Sequence, residues 1–291
     1  MNVSELMQRE LPIGVFDSGF GGLSVVREIQ RILPFEDITY FGDTARVPYG
    51  TKSVETLKKY ASQDVAFLME KGVKAIVIAC GTVSSVAYDT VESISSVPVV
   101  GIVKPAAKYA TDITENGVIG IWGTNATVKS HSIAKEIERI GRETDRLYTT
   151  CEIPCPLLVP LVENGYISED CEITLLAVRE YLSGIILSGA DTLILGCTHF
   201  PLISSLIEKE WKKHTGGRIV NSGRQAAEEV KNKLSSVGLL SGKTTPGRLS
   251  IHSSDDMEVF SQQARIFLDF DGKAKFKNIE FISKKTDIDK Y

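Results

Sequence analysis

Ala75-Ile-Val-Ile-Ala-Cys-Gly-Thr82 and Thr192-Leu-Ile-Leu-Gly-Cys-Thr198 read alike: an apolar run, a cysteine where it stops, and a threonine close behind. Short apolar runs that do not alternate with polar residues suit strands buried on both faces of a parallel sheet. Similar runs occur at Ile13–Phe16, Ile38–Phe41, Val97–Ile102, Gly117–Trp122, Leu147–Thr150 and Arg248–His252. Helical periodicity fills the spaces between them, at Leu23–Ile32, Ser53–Lys71, Ser130–Ile140, Glu172–Ser188 and Gln225–Ser236. Ser53 with Thr56 three residues on is a partial capping signal ahead of well-spaced apolar positions. The β–α–β rhythm predicts an α/β protein with crossover connections.

The likeness of the two cysteine runs extends upstream. Gly14-Val-Phe-Asp-Ser-Gly19 and Gly120-Ile-Trp-Gly-Thr-Asn125 each read as a strand, a sharp turn and a hydroxyl residue before a helix. Two related halves are the natural reading, with crossings between them at Pro98–Pro105 and Thr215–Gly223. A chain that crosses twice returns to its first half. We therefore expect a discontinuous first domain, residues 1–104 plus 218–291, carrying Asp17 and Cys80. The second domain, residues 105–217, carries Cys197 and His199.

Composition narrows the function. The chain has 291 residues, 43% of them apolar, enough for a substantial core and against a disordered or collagenous protein. Its 33 basic and 37 acidic residues leave a net charge of −4, without the basic excess of a nucleic-acid-wrapping protein. No apolar stretch approaches the roughly 20 residues of a membrane span. The N-terminal MNVSELMQRE shows no basic and apolar leader pattern, so the expected location is the cytoplasm. Five cysteines, an odd number in a long chain, argue for reduced thiols over a disulfide framework.

Cys80 and Cys197 stand at the C-terminal ends of predicted strands, where α/β sheets place their ligand sites. One such cysteine is ordinarily a small buried hydrophobe; two at matching positions of two similar halves point to chemistry. Cys151 and Cys155, flanking an apparently irregular segment, and Cys171 at a helix start read as bystanders, and no metal site is expected. Asp17 suits an N-cap or turn, and equally a carboxylate that assists a thiol. Its glycine-rich turn matches neither the dinucleotide nor the P-loop fingerprint. His199, two residues after Cys197, is placed for acid–base work, whereas His131, His214 and His252 lack such company. The polar loop Asp43–Ser53, with Tyr49-Gly50 near its end, suits a carboxylate-binding segment.

Taken together, FDSGFGGLSV, FGDTARVPYGTKS, ACGTVSS, GTNATVKS, CPLLVPLVENG and LGCTHFPLI resemble the glutamate racemases of the cofactor-independent aspartate/glutamate racemase superfamily. The resemblance runs from about Pro12 to Pro201, with a looser continuation beyond. It implies two similar α/β domains with mostly parallel sheets, related by a pseudo-twofold and facing a central cleft. It also implies that Cys80 and Cys197 are the two catalytic acid–bases. Asp17 would assist Cys80, and His199 with Glu163 would assist Cys197. Asp17, Ser18, Tyr49, Gly50, Thr82, Thr198 and His199 would hold the substrate, a free amino acid.

One position departs from the family pattern. Cys-Asn-Thr is usual at the first cysteine, where this chain has Cys80-Gly81-Thr82, so backbone N–H at Gly81 must serve where an amide side chain is absent. The expected partner is glutamate, with no cofactor, metal, nucleic acid or membrane; a homodimer is compatible with the sequence. The role implied is supply of D-glutamate for peptidoglycan. Three alternatives are an aspartate or relaxed racemase, a cysteine hydrolase built on Cys197 and His199, and a non-catalytic binding protein. The aspartate pattern places glutamate after the second Cys-Thr, and His199 stands there instead.

Overall fold

The computed structural model describes residues 7–214, 216–268, 279–282 and 286–291. Residues 1–6, part of the N-terminal stretch read for a leader, and Thr215 of the second crossing lie outside them. The chain begins with β1 (Ile13–Asp17), α1 (Leu23–Ile32), β2 (Ile38–Gly42), α2 (Val54–Glu70), β3 (Ala75–Ile78), α3 (Gly81–Val86), α4 (Tyr88–Ile94) and β4 (Val99–Gly101). It continues through α5 (Val103–Ile113), β5 (Val118–Gly123), α6 (Asn125–Ser130), α7 (Ser132–Thr144), β6 (Thr149–Pro154), α8 (Leu158–Glu163), α9 (Glu172–Leu187), β7 (Thr192–Leu195), α10 (Ser204–Trp211) and β8 (Arg218–Asn221). It ends with α11 (Ser222–Ser236), β9 (Leu249–Ser253), α12 (Met257–Leu268) and β10 (Ile279–Phe281).

These strands form two sheets, ordered β10-β9-β2-β1-β3-β4 and β6-β5-β7-β8, and every pairing among the described residues is parallel. The order β6-β5-β7-β8 repeats β2-β1-β3-β4, so the two halves share a topology, as the similar cysteine runs predict. β1, β2, β3 and β7 are buried at every residue, which is why their sequences are continuously apolar. Helices cover the faces with amphipathic stripes. α2 buries Leu57, Ala61, Val65 and Leu68, and its N-cap Ser53 accepts a hydrogen bond from the Thr56 N–H at 3.2 Å. No helix among the described residues is long and apolar enough to cross a membrane.

Several elements differ from the sequence expectation. The helix read at Ser130–Ile140 is two helices, broken where His131 takes a left-handed conformation (φ 53°), and the second runs on to Thr144. The strand read at Leu147–Thr150 lies two residues further on, as the partly exposed edge strand β6, so Cys151 stands in a strand and not in an irregular segment. Pro98–Pro105 contains β4 and the first turn of α5, where a proline costs no helical hydrogen bond. The first crossing therefore runs through α5 itself. Arg218–Asn221 pairs with β7, so four residues expected in the first domain are the edge strand of the second sheet. The return passes through α11, which packs on both α1 and α5.

Candidate active site

Cys80 lies two residues beyond β3, and Cys197 lies two residues beyond β7, the strand at the equivalent place in the other sheet. Both thiols are buried, at 5% and 6% exposure. The turns that carry them are bound to the opposite half. Ser24 Oγ donates to the Thr198 carbonyl at 2.7 Å, and the Thr82 and Thr124 hydroxyls lie 3.1 Å apart. Gly50 sits close enough to Thr124 that a β-carbon on it would lie at 3.8 Å.

Cys197 has an imidazole beside it. Its Sγ lies 3.7 Å from His199 Nδ1, and His199 Nε2 lies 3.0 Å from Glu163 Oε1. Burial alone would push the imidazole down, but its bonds to Cys197 and Glu163 raise it to about 10. A protonated imidazole at that distance supports negative charge on the sulfur. Phe267 of α12 packs edge-on against the His199 ring, with centroids 5.3 Å apart and planes at 88°.

Cys80 has a hydroxyl and a carboxylate beside it instead. Its thiol donates to Ser18 Oγ at 3.7 Å. Burial, and then the Asp17 carboxylate, push this thiol up to about 12. Asp17 closes the glycine-rich turn: its Oδ2 accepts from the N–H groups of Gly19 (3.1 Å) and Gly22 (3.0 Å). Its Oδ1 is buried without a hydrogen-bond partner. Burial raises the Asp17 carboxyl, while His199 and the amides of Gly22, Gly19 and Ser18 oppose the rise. Asp17 thus serves the turn and also acts electrostatically on both Cys80 and His199.

Of the expected substrate-holding residues, Ser18, Thr82, Thr198 and His199 adjoin the two thiols. Thr82 follows Cys80 in the buried start of α3, and Thr198 Oγ1 lies 3.4 Å from His199 Nδ1. The Tyr49 hydroxyl, however, donates to Asp43 and, at 3.4 Å, to Asp64. The Tyr49 hydroxyl is therefore committed to these two carboxylates. Two further features escape the sequence reading, Ser24 and a buried network that holds this loop, whereas Thr124 reads from the sequence as the hydroxyl before a helix. In that network Arg46 donates to Asp43 (2.6 Å), Gln63 (2.5 Å) and Asp64 (3.0 Å). Burial and the neighbouring Asp43 push the Asp64 carboxyl well up. Ser24 had a readable signal, a serine inside the buried stripe Leu23, Val25, Val26 and Ile29.

The remaining cysteines and histidines stay apart from this chemistry. All five cysteines are free thiols. Burial, and then Cys197, push the enclosed Cys155 thiol up, which suits an inert core sulfur. His131 pairs with Glu152 at the surface (2.5 Å), and burial, followed by Lys71, holds His252 down at about 4.

Two parallel sheets of repeated topology, each with a buried thiol two residues beyond an equivalent strand, define the class: an α/β protein with two all-parallel sheets. The model of the Asp/Glu/hydantoin racemase family matches residues 13–230. A glutamate racemase from Persephonella marina is 47% identical over 223 residues, which cover 77% of this chain and 82% of the relative. The crystal structure of a glutamate racemase from Bacillus anthracis superposes with a TM-score of 0.85 at 32% identity, covering 95% of this chain and 98% of that one. The structure of the Francisella tularensis glutamate racemase in complex with D-glutamate gives 0.82 at 34% identity, over 97% of this chain and 100% of that one. The chain belongs to the Asp/Glu/hydantoin racemase family.

Proposed function

We propose that this chain is a glutamate racemase that interconverts L- and D-glutamate with Cys80 and Cys197 as its two acid–bases and no cofactor. The observation that carries this reading is the placing of two buried thiols at equivalent strand ends with opposite charge surroundings. Racemisation removes the α-proton from one face and supplies a proton to the other, so two facing groups accomplish it without moving. With Cys197 as thiolate and Cys80 as thiol, Cys197 Sγ takes the α-proton and Cys80 Sγ–H delivers its own to the opposite face. Cys197 is left protonated and Cys80 ionised, the correct starting state for the reverse reaction. A free thiol has a pKa of about 8.5, so neighbours must share the cost of ionisation. His199, backed by Glu163, does this for Cys197.

The α-proton is a far weaker acid than a thiol. Oriented donors and a water-poor cleft must stabilise the developing carbanion. Ser18, Thr82, Thr198 and the backbone of Tyr49, Gly50 and Gly81 are the donors at hand. The two sheets act as the walls of the cleft, and the reaction's expected role is cytoplasmic supply of D-glutamate for peptidoglycan. The glutamate racemase relatives and the bound D-glutamate of the Francisella neighbour support this substrate.

Purified protein in deuterated water, without added cofactor, is expected to exchange the α-proton of L-glutamate and erase its circular dichroism. Faster loss of the aspartate signal would overturn the substrate assignment. The Glu163–His199–Cys197 arrangement also fits a cysteine hydrolase, although that leaves Cys80 without a role. A covalent acyl adduct on Cys197, seen by mass spectrometry, would favour the hydrolase.

A further inference from the structure

Gly81 directly follows one thiol residue, and Gly196 directly precedes the other. The two glycines face each other across the join between the halves. A β-carbon on Gly81 would fall within 3.0 Å of the Gly196 carbonyl oxygen, a backbone atom that cannot swing aside. Gly196 is itself anchored. Its N–H donates to the Trp122 carbonyl at 2.8 Å, and a β-carbon on it would meet that same oxygen at 2.7 Å. The join continues at Gly21, where a β-carbon would strike Thr198 and lie 2.6 Å from the His199 ring. At Gly81 and Gly21 the first half therefore presents side-chain-free backbone to the Cys197 turn, next to the side-chain contact made by Ser24.

We propose that Gly81 sets the spacing of the two thiols: the bare Cα lets the Cys80 turn seat directly on the Gly196 carbonyl, and any side chain there holds the turns apart. Gly81 is on this view a positioning residue for the two-thiol racemisation, and the inference rests on that reading. Its consequence lies in the fate of the carbanion. When Cys197 has taken the α-proton, Cys80 must deliver its own before Cys197 gives one back. Delivery by Cys80 inverts the centre and leaves Cys80 ionised. Return from Cys197 retains configuration, and if that thiol has first traded its proton for solvent deuterium, the substrate gains deuterium without inverting. A wider gap slows delivery, so the ratio of exchange to inversion rises. Misplacement of reacting groups by about an ångström costs on the order of a hundredfold in rate.

The test uses the full chain with Gly81→Ala and Gly81→Asn, in deuterated water with L-glutamate and no cofactor. Proton NMR reads α-deuteration, polarimetry reads inversion, and thermal melting reports folding. Both variants are expected to lose roughly tenfold or more in kcat, with a smaller change in KM and a severalfold higher ratio of exchange to inversion. Asparagine, the residue usual in the resembling family, is expected to impair this chain at least as much as alanine. A purely structural role lowers the melting temperature without moving that ratio. An unchanged ratio with kcat within twofold, or faster turnover in Gly81→Asn, overturns the proposal alone. If neither variant folds, the wild type decides: deuterium accumulating in unreacted L-glutamate ahead of inversion overturns the proposal. A wild type that neither exchanges nor inverts glutamate overturns the racemase reading and the spacing role with it.

Discussion

Cys80 and Cys197 leave equivalent strands at equivalent offsets, but one has a carboxylate for company and the other an imidazole. Beside Cys80 lie Ser18 at 3.7 Å and the Asp17 charge; beside Cys197 lies His199, held by Glu163 at 3.0 Å. Repeated topology accounts for where the sulfurs stand. Side chains that differ between the halves, Asp17 in the first and His199 with Glu163 in the second, give the two sulfurs different charge surroundings. The surroundings of the two thiols thus differ in charge although the architecture repeats, which suits the proposed reaction, in which one thiolate and one thiol are needed.

The largest expected effect tests the shared part of that comparison. Cys80→Ala and Cys197→Ala are each expected to lower racemisation by about 10²–10⁴-fold, the usual worth of a positioned acid–base group. Near-normal turnover in either, measured by polarimetry, breaks the two-thiol scheme. The next effect sharpens the difference. Enantiomers have equal free energies in water, so kcat/KM must fall equally in both directions in any variant. Asymmetry therefore has to be sought in primary isotope effects on α-deuterated substrates. Glu163→Gln and His199→Asn are expected to raise the isotope effect for the enantiomer whose Cα–H faces Cys197. Asp17→Asn should do so for its mirror image. Equal changes for both enantiomers would show that the neighbours do not divide between the thiols.

pH provides a third and milder probe. His199 carries its proton up to about 10 because Cys197 and Glu163 outweigh burial. The alkaline limb of kcat/KM, which reports the free enzyme, is expected near that value. Removing the Glu163 charge lowers the imidazole's proton affinity, so in Glu163→Gln the limb should move to lower pH; a stationary limb would remove Glu163 from the relay. The smallest effect concerns the join between the halves. Ser24→Ala deletes the bond to the Thr198 carbonyl and is expected to cost about 1 kcal/mol in urea unfolding. A loss below a quarter of that would show that the contact is replaced by solvent.

Much of this was legible from the chain. The all-buried strands announced themselves through unbroken apolar runs, and the paired cysteines through their identical setting. Edge strands were less legible: the sequence places β6 two residues early, and β8, partly exposed and only four residues long, has a composition that resembles loop. Glu163 could be reached only through family resemblance, since nothing local separates a helix-end carboxylate from one that meets a histidine 36 residues away. The Arg46 network was hidden for a similar reason. Its members, Asp43, Gln63 and Asp64, look like ordinary loop and helix polar residues until folding buries them together.

The way the sheets divide the chain also orders events during synthesis. The second sheet is assembled from one uninterrupted stretch, β5 through β8, and can close as soon as Asn221 has left the ribosome. The first sheet cannot, because Ile38 to Gly42 wait for Leu249 to Ser253 before their outer edge is paired. Domains generally fold N-terminal first, yet here every strand of the second sheet is made before the partner of β2's outer edge, and an unpaired edge invites wrong pairing. The outer edge of β2 therefore stays unpaired while residues between 42 and 249 are being made; β9 then covers it, and β10 covers β9 in turn.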